Sequence, residues 1–319
     1  MQPDTYLHGA RTRWHEAPAE VQDWVLARSG PLVDEPRDCR GGMATGVAAV
    51  VPGAERAVFV KAIDAVDNPV GARMYTKEAD QARRLPRHPT IPRLVDSAEV
   101  PVPAGTWRVN LLEAHPGSPP RHPWQVSDLS WVITAWAELQ PMLAATPWDT
   151  SAELSAFFTG WREIAADPTD PWQSRAAAWV DREEALCEVI DGGEAAVLSH
   201  IDLRADNILI GRTSAEVSFV DWAHPGLAAP WADLALLLAD VVASGVSVEA
   251  GGAIDVVDLF ATHRPEIDPA LVVTLIAALG AFLHVRAHRE QVLPAMPHRH
   301  RWSAAASEGI LPFIEAHSR

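Results

Sequence analysis

The apolar positions fall into successive regimes along the chain. Between Glu20 and Arg28, Val21, Trp24 and Val25 recur at helical spacing, and Gly30-Pro31 ends the run. Two apolar runs, residues 45–51 and 57–63, flank the turn pair Pro52-Gly53 and predict a β-hairpin, preceded by a glycine-bearing loop at Arg40-Gly41-Gly42-Met43. Residues 68–85 carry helical spacing ended by the prolines of 86–92, while 91–95 and 107–112 read as short strands around a Pro-rich turn at 101–105. After Gly117-Ser118-Pro119-Pro120 the character shifts: Trp124, Trp131, Trp136, Trp148, Trp161, Trp172 and Trp179 follow one another in helical sequence. Strand-like runs return at 195–199, 208–210 and 217–220. The remainder is mostly helical, at 231–243, 256–262, 269–290 and 303–316, with a loop at 245–252. The pattern predicts an α+β chain of two lobes: a small β-rich lobe over residues 1–114 and a larger, mainly helical lobe over 115–319.

One polar segment is gripped by apolar runs on both sides: Leu198-Ser199-His200-Ile201-Asp202-Leu203-Arg204-Ala205-Asp206-Asn207-Ile208-Leu209-Ile210. Phosphoryl transfer needs a carboxylate to orient or accept the proton of the attacking hydroxyl, and Asp202, in a loop held by flanking strands, suits that role. Magnesium needs oxygen ligands close to that base. If 208–210 and 217–220 pair as a hairpin centred near Ser214, Asn207 at the start of one strand faces Asp221 at the end of the other, giving two such ligands.

These residues resemble the aminoglycoside phosphotransferase family, a branch of the protein-kinase-like fold. The family's loop of His, any residue, Asp, four residues, Asn is matched by His200, Asp202 and Asn207. Trp222 stands where an aromatic follows the metal-binding Asp, and Asp233-Leu234-Ala235 matches a later helix opening. The resemblance covers about residues 40–235 and implies a bilobal kinase-like fold. Asp202 is then the catalytic base, Asn207 and Asp221 hold Mg2+, and Asp233 braces the loop, with His200 as structural support. It further implies that Lys61, in the strand Val58-Phe59-Val60-Lys61-Ala62-Ile63, grips the phosphates of ATP (or GTP) beside a helix glutamate, for which Glu78 is the candidate. An edge-strand lysine pointing to water and an exposed helix glutamate are the alternatives. Gly41 and Gly42 would let backbone amides approach the phosphates, although a plain turn would look the same. Backbone groups of Glu113 and His115 would face the base at the hinge. Arg204 stands where related kinases carry a basic residue near the γ-phosphate; a surface arginine is the alternative. The family usually has Gly where this chain has Ile201.

Composition adds limits. The chain of 319 residues is 48% hydrophobic and carries a formal charge of −16, which repels nucleic acid and anionic membrane and favours a small-molecule substrate, possibly cationic. Acidity for solubility alone is equally compatible. Two cysteines cannot build a disulfide framework and fit a reducing, cytoplasmic setting. The longest apolar run, 270–283, is too short to span a bilayer. His284 and His288 share a helix face and read as ordinary helix residues, and the basic run His298-Arg299-His300-Arg301 as a solvated loop. The expected activity is O-phosphorylation of an aminoglycoside or another amine-bearing antibiotic. The alternatives are kinases of choline, homoserine, a sugar or a macrolide, or a catalytically silent nucleotide-binding module. Acidic residues among the Trp-rich helices (Asp128, Glu138, Asp149, Glu153, Glu163, Asp167 and Asp170) are the expected acceptor wall. The oligomeric state is not encoded in any of these patterns.

Overall fold

A computed structural model describes residues 11–39, 45–245, 254–293, 296 and 298–318. The glycine-bearing loop with Gly41 and Gly42, and most of the loop at 245–252, lie outside the described residues.

Five antiparallel strands form the N-terminal sheet in the order β1-β2-β3-β5-β4: β1 (Arg37–Asp38), β2 (Val47–Pro52), β3 (Ala57–Asp64), β4 (Leu94–Val102) and β5 (Gly105–Glu113). Alternation along β3 decides what each face meets. Val58, Val60 and Ala62 point into a core shared with Trp14 and with Val21 and Val25 of α1 (Ala19–Ser29). Phe59 and Lys61 point to the opposite face, where a cavity opens. Pairing places Lys61 across from Ala48 on β2 and Asn110 on β5. Lys61 therefore stands on an interior strand, not an edge. The strand expected at 91–95 begins only at Leu94 and runs on through Pro101, because β4 is the outer strand, where a proline removes no ladder hydrogen bond. Helix α2 (Pro69–Arg84) starts where Asn68 accepts the N–H of Gly71 at 2.8 Å with Pro69 in the first turn, and it packs on the cavity side of the sheet.

The chain then crosses to helices. Gly117 takes φ 124°, a backbone open to glycine, and a Cβ there would lie 2.7 Å from the carbonyl oxygen of Ile210. That closeness lets Ser118 and Ile210 exchange backbone hydrogen bonds of 3.1 and 2.9 Å, tying the crossing segment to the loop region below. Helices α3 (Val126–Ala145), α4 (Gly160–Ala165), α5 (Gln173–Ala176) and α6 (Val180–Val189) follow. Two small hairpins come next, β6 (Val197–Ser199) with β9 (Gly226–Ala228) and β7 (Ile208–Ile210) with β8 (Val217–Phe219). Helices α7 (Ala232–Ala243), α8 (Val256–His263), α9 (Pro269–His288) and α10 (Arg299–His317) complete the fold.

Helix α9 extends past the apolar run seen in the sequence to 20 residues, long and apolar enough to cross a membrane by length and composition. Here it is the central helix of the lobe, packed by α4, α6, α7, α8 and α10. Most tryptophans are core, as the spacing suggests: Trp161 stacks between Trp172 and Trp179, and Trp172 stacks on His284. The basic run at 298–301 opens α10 instead of forming a loop, with Arg299 paired to Glu290 at 3.0 Å.

Candidate active site

The loop between β6 and β7 is held from above by one buried helix. Asp233, 1% exposed in the first turn of α7, accepts the backbone N–H of His200 at 2.8 Å and of Ile201 at 2.7 Å. Two turns along the same helix Asp240 accepts the N–H of Ala205 at 3.0 Å and the indole N–H of Trp124 at 2.9 Å. The sequence reading missed Asp240. Its signal was present: a second carboxylate in the otherwise apolar run Leu234 to Val242 requires partners when buried. Ile201 adopts φ 60°, a left-handed conformation that is costly for a β-branched residue, and the Asp233 bond holds it there. The His200 ring donates from Nε2 to the carbonyl of Val220 at 2.9 Å and accepts the N–H of Asp202 on Nδ1 at 3.3 Å, linking the loop to the strand end that carries Asp221.

These restraints present Asp202 at the surface of the cleft, with its side chain 48% exposed. One carboxylate oxygen accepts from Asn207 Nδ2 at 2.9 Å and the other lies 3.1 Å from Arg204 Nε. Asn207 Nδ2 also donates to the Asp202 carbonyl at 2.8 Å. Both amide hydrogens are thereby engaged, which leaves Oδ1 as its acceptor. Arg204 is not a surface arginine: its side chain is 13% exposed, reaches Asp206 at 3.0 Å and lies 4.7 Å from the centre of the Trp302 ring. Burial, reinforced by Asp202, Asp240 and Asp221, raises the Asp206 carboxyl to about 6 against the pull of Arg204.

On the sheet side Lys61 Nζ donates to Glu78 Oε1 and to Asp221 Oδ1, each at 2.6 Å. Glu78 is buried rather than exposed, at 2%, and is steadied by Asn110 Nδ2 at 3.5 Å. Burial disfavours the charge on Lys61, but the Asp221 and Glu78 carboxylates outweigh it and raise its pKa. Burial pushes Asp221 up, and the charge and hydrogen bond of Lys61 more than offset this, holding it at about 2. Asp221 takes φ 63°, which turns its side chain off the end of β8 toward Lys61.

Lys61, Glu78, Asp206, Asn207, Asp221, Glu113 and His115 line one cavity of about 350 Å³ between sheet and helical lobe, within the range of small-molecule sites. The apolar walls Ala48, Val50, Phe59, Leu112, Leu209 and Val220 suit a flat heterocycle. At the crossing segment the His115 ring is bonded to Ser218 Oγ at 2.6 Å, so its side chain packs against the hairpin.

A family model described as the phosphotransferase enzyme family matches residues 40–290. The chain belongs to the phosphotransferase enzyme family. Solved structures share the fold: an aminoglycoside-3'-phosphotransferase of type VIII is 19% identical, with 82% of this chain and 98% of that chain covered at a TM-score of 0.51. A microcompartment-associated aminopropanol kinase is 14% identical over 93% of this chain and 94% of that chain, also at 0.51. No curated protein sequence matches. Membership of the phosphotransferase enzyme family makes the chain a small-molecule kinase with a nucleotide phosphate donor.

Three of the acidic residues expected to form an acceptor wall are neutralised by basic partners. Asp128 pairs with Arg121 at 3.1 Å, Asp149 with Arg84 at 2.5 Å, and Asp170 with Arg289 at 2.5 Å and with His284 at 3.2 Å.

Proposed function

We propose that the chain transfers the γ-phosphoryl group of ATP to a hydroxyl of a small molecule, with Asp202 as the catalytic base. The supporting observation is the exposed Asp202 carboxylate, oriented by Asn207 and Arg204 beside the cavity that holds Lys61 and Asp221. In this reading Lys61 holds the donor phosphates, Glu78 keeps Lys61 extended, and Asp202 accepts the hydroxyl proton as the acceptor oxygen attacks phosphorus in line. Glu113 and His115 contribute backbone groups to the nucleobase. Arg204 acts on the base: it fixes the Asp202 rotamer and offsets its charge.

Magnesium fits the donor set. Asn207 Oδ1 and the second oxygen of Asp221 are hard ligands at the mouth of one hairpin. Among the described residues no three His, Cys, Asp or Glu side chains converge on a metal position. That suits an ion which takes one or two protein oxygens and completes its shell with phosphates and water. When bound, magnesium neutralises charge on the transferring phosphoryl group.

A silent nucleotide-binding module would have no use for an oriented, exposed carboxylate. Labelled ATP and magnesium with a panel of hydroxyl acceptors test the point. Asp202→Ala is expected to lower kcat by a factor of ~10²–10⁴ with nucleotide affinity retained. Transfer that survives both Asp202→Ala and Asp221→Ala would rule this site out. The amine-bearing antibiotic that the family resemblance suggests, and that the net charge of −16 allows, stays within this acceptor panel.

A further inference from the structure

Arg286, on α9, projects toward the catalytic loop. Its Nε donates to Ser303 Oγ at 2.9 Å, and its guanidinium lies over Phe282 at 4.8 Å and over Trp302 at 5.4 Å. Its two terminal nitrogens have no polar partner among the described residues. The Trp302 ring is the same one that supports Arg204, whose Nε is 3.1 Å from Asp202, so Arg286 stands one indole away from the base.

The carboxylates that could neutralise Arg286 are committed elsewhere. Asp202 is engaged by Arg204 and Asn207, and Glu290 by Arg299 at 3.0 Å. Burial, then the like charges of Arg299 and Arg204, bring Arg286 down to about 10. Neither terminal nitrogen is a fully buried atom, so a guanidinium with two open donors and cationic neighbours faces solvent ready to take an anion in place of water. The fork of an arginine matches a carboxylate or a phosphate, both of which accept two parallel hydrogen bonds. An ammonium group there would instead face three arginines.

We propose that Arg286, with Trp302 as floor, binds an anionic group carried by the acceptor, so that the phosphorylated hydroxyl belongs to an acidic small molecule such as a hydroxy acid, a sugar acid or a sugar phosphate. The inference rests on the phosphotransfer reading and differs from the cationic acceptor that the net charge allows. Net charge sums the whole surface, whereas recognition depends on the few groups beside the base.

Matched acceptors with labelled ATP and magnesium test it: glycerate against glycerol, gluconate and glucose 6-phosphate against glucose, and choline, ethanolamine and an aminoglycoside as the amine-bearing arm. An acidic member is expected to exceed its neutral partner at least tenfold in kcat/KM, and the gluconate and glucose 6-phosphate arms separate carboxylate from phosphate. Arg286→Met should raise the acceptor KM at least tenfold with the ATP KM within twofold, and Arg286→Lys should recover part of the loss. Preference for a neutral or amine-bearing acceptor, or an Arg286→Met effect on the ATP KM instead, would overturn the proposal. If no acceptor is turned over, calorimetric titration of ATP, and of sulfate at fixed ionic strength with and without ATP, decides. Binding at least tenfold weaker in Arg286→Met supports the anion site, and equal binding removes it. A wild-type chain that binds sulfate through Arg286 yet neither binds ATP nor transfers phosphate would sink the phosphotransfer reading alone. Thermal melts of both variants separate loss of the site from loss of the fold.

Discussion

Replacing Asp233 by Asn tests whether a buried carboxylate sets the shape of the catalytic loop. Asp233 receives two backbone N–H groups, from His200 and Ile201, at 2.8 and 2.7 Å. An amide has one acceptor oxygen, so one N–H keeps a partner and the other meets the Asn NH2. An unsatisfied buried donor costs ~1–3 kcal/mol. Burial pushes the Asp233 carboxyl up, against His200 and the two N–H bonds, so the neutral amide recovers part of that cost and the net loss falls in the lower half of the range. Ile201 offsets part of the remainder, since its φ of 60° stores ~1–3 kcal/mol that is released once the brace no longer holds it. Once the brace weakens, Ile201 relaxes and carries Asp202 with it. A shift of ~1 Å at the base lowers turnover by about 10²-fold. Urea unfolding and steady-state kinetics on Asp233→Asn, Ile201→Gly and the double variant measure this. Glycine tolerates the left-handed conformation, so Ile201→Gly should return at least about tenfold of the activity lost in Asp233→Asn, a coupling of ~1.4 kcal/mol. Strict additivity in kcat, or turnover within twofold of wild type in Asp233→Asn, would refute the idea that the carboxylate holds a strained residue.

Two further outcomes follow from buried charge. Lys61→Met strands Glu78 without its cation and should cost ~3–5 kcal/mol in thermal or urea unfolding. The same variant should weaken ATP binding by calorimetry, and the Asp221 carboxyl should rise from about 2 toward its ordinary range in an NMR titration. Glu183, 1% exposed on α6, accepts the N–H groups of Trp161 and Arg162, and burial lifts its carboxyl to about 7. A carboxyl raised by folding contributes stability that is complete below its unfolded value of ~4.3 and lost as pH rises through about 7. Wild-type unfolding free energy should therefore fall by up to ~3 kcal/mol between pH 4.5 and 8 from this group, and Glu183→Gln should show a flatter profile. An unchanged slope in the variant would place the pH dependence elsewhere.

Two aspartates on one helix illustrate how the site divides between chain and fold. Asp233 was legible because its position matches a family pattern. Asp240 stood out only as a carboxylate in an apolar run, and its partner came from packing, which brings the third turn of α7 against Ala205. Lys61 and Glu78 show the same division: alternation in β3 marks Lys61 as the odd residue in an apolar strand, but its alternative as an edge lysine fell only when β2 and β5 were found on either side of it.

The order of elements, the hairpin spacing that brings Asn207 near Asp221, and the loop carrying Asp202 were all determined by the sequence, because period, turn residues and short spacing act over neighbours in the chain. Tertiary structure decided what no local pattern holds. It set Arg204 on Asp202 and Asp206, brought Trp302 from the last helix beneath it, and left Arg286 with open donors beside the base. Acceptor recognition belongs to that second class. Its residues lie on α9, α10 and the catalytic loop, far apart in the chain, and their charges acquire meaning only when packing has consumed some of the partners and spared others.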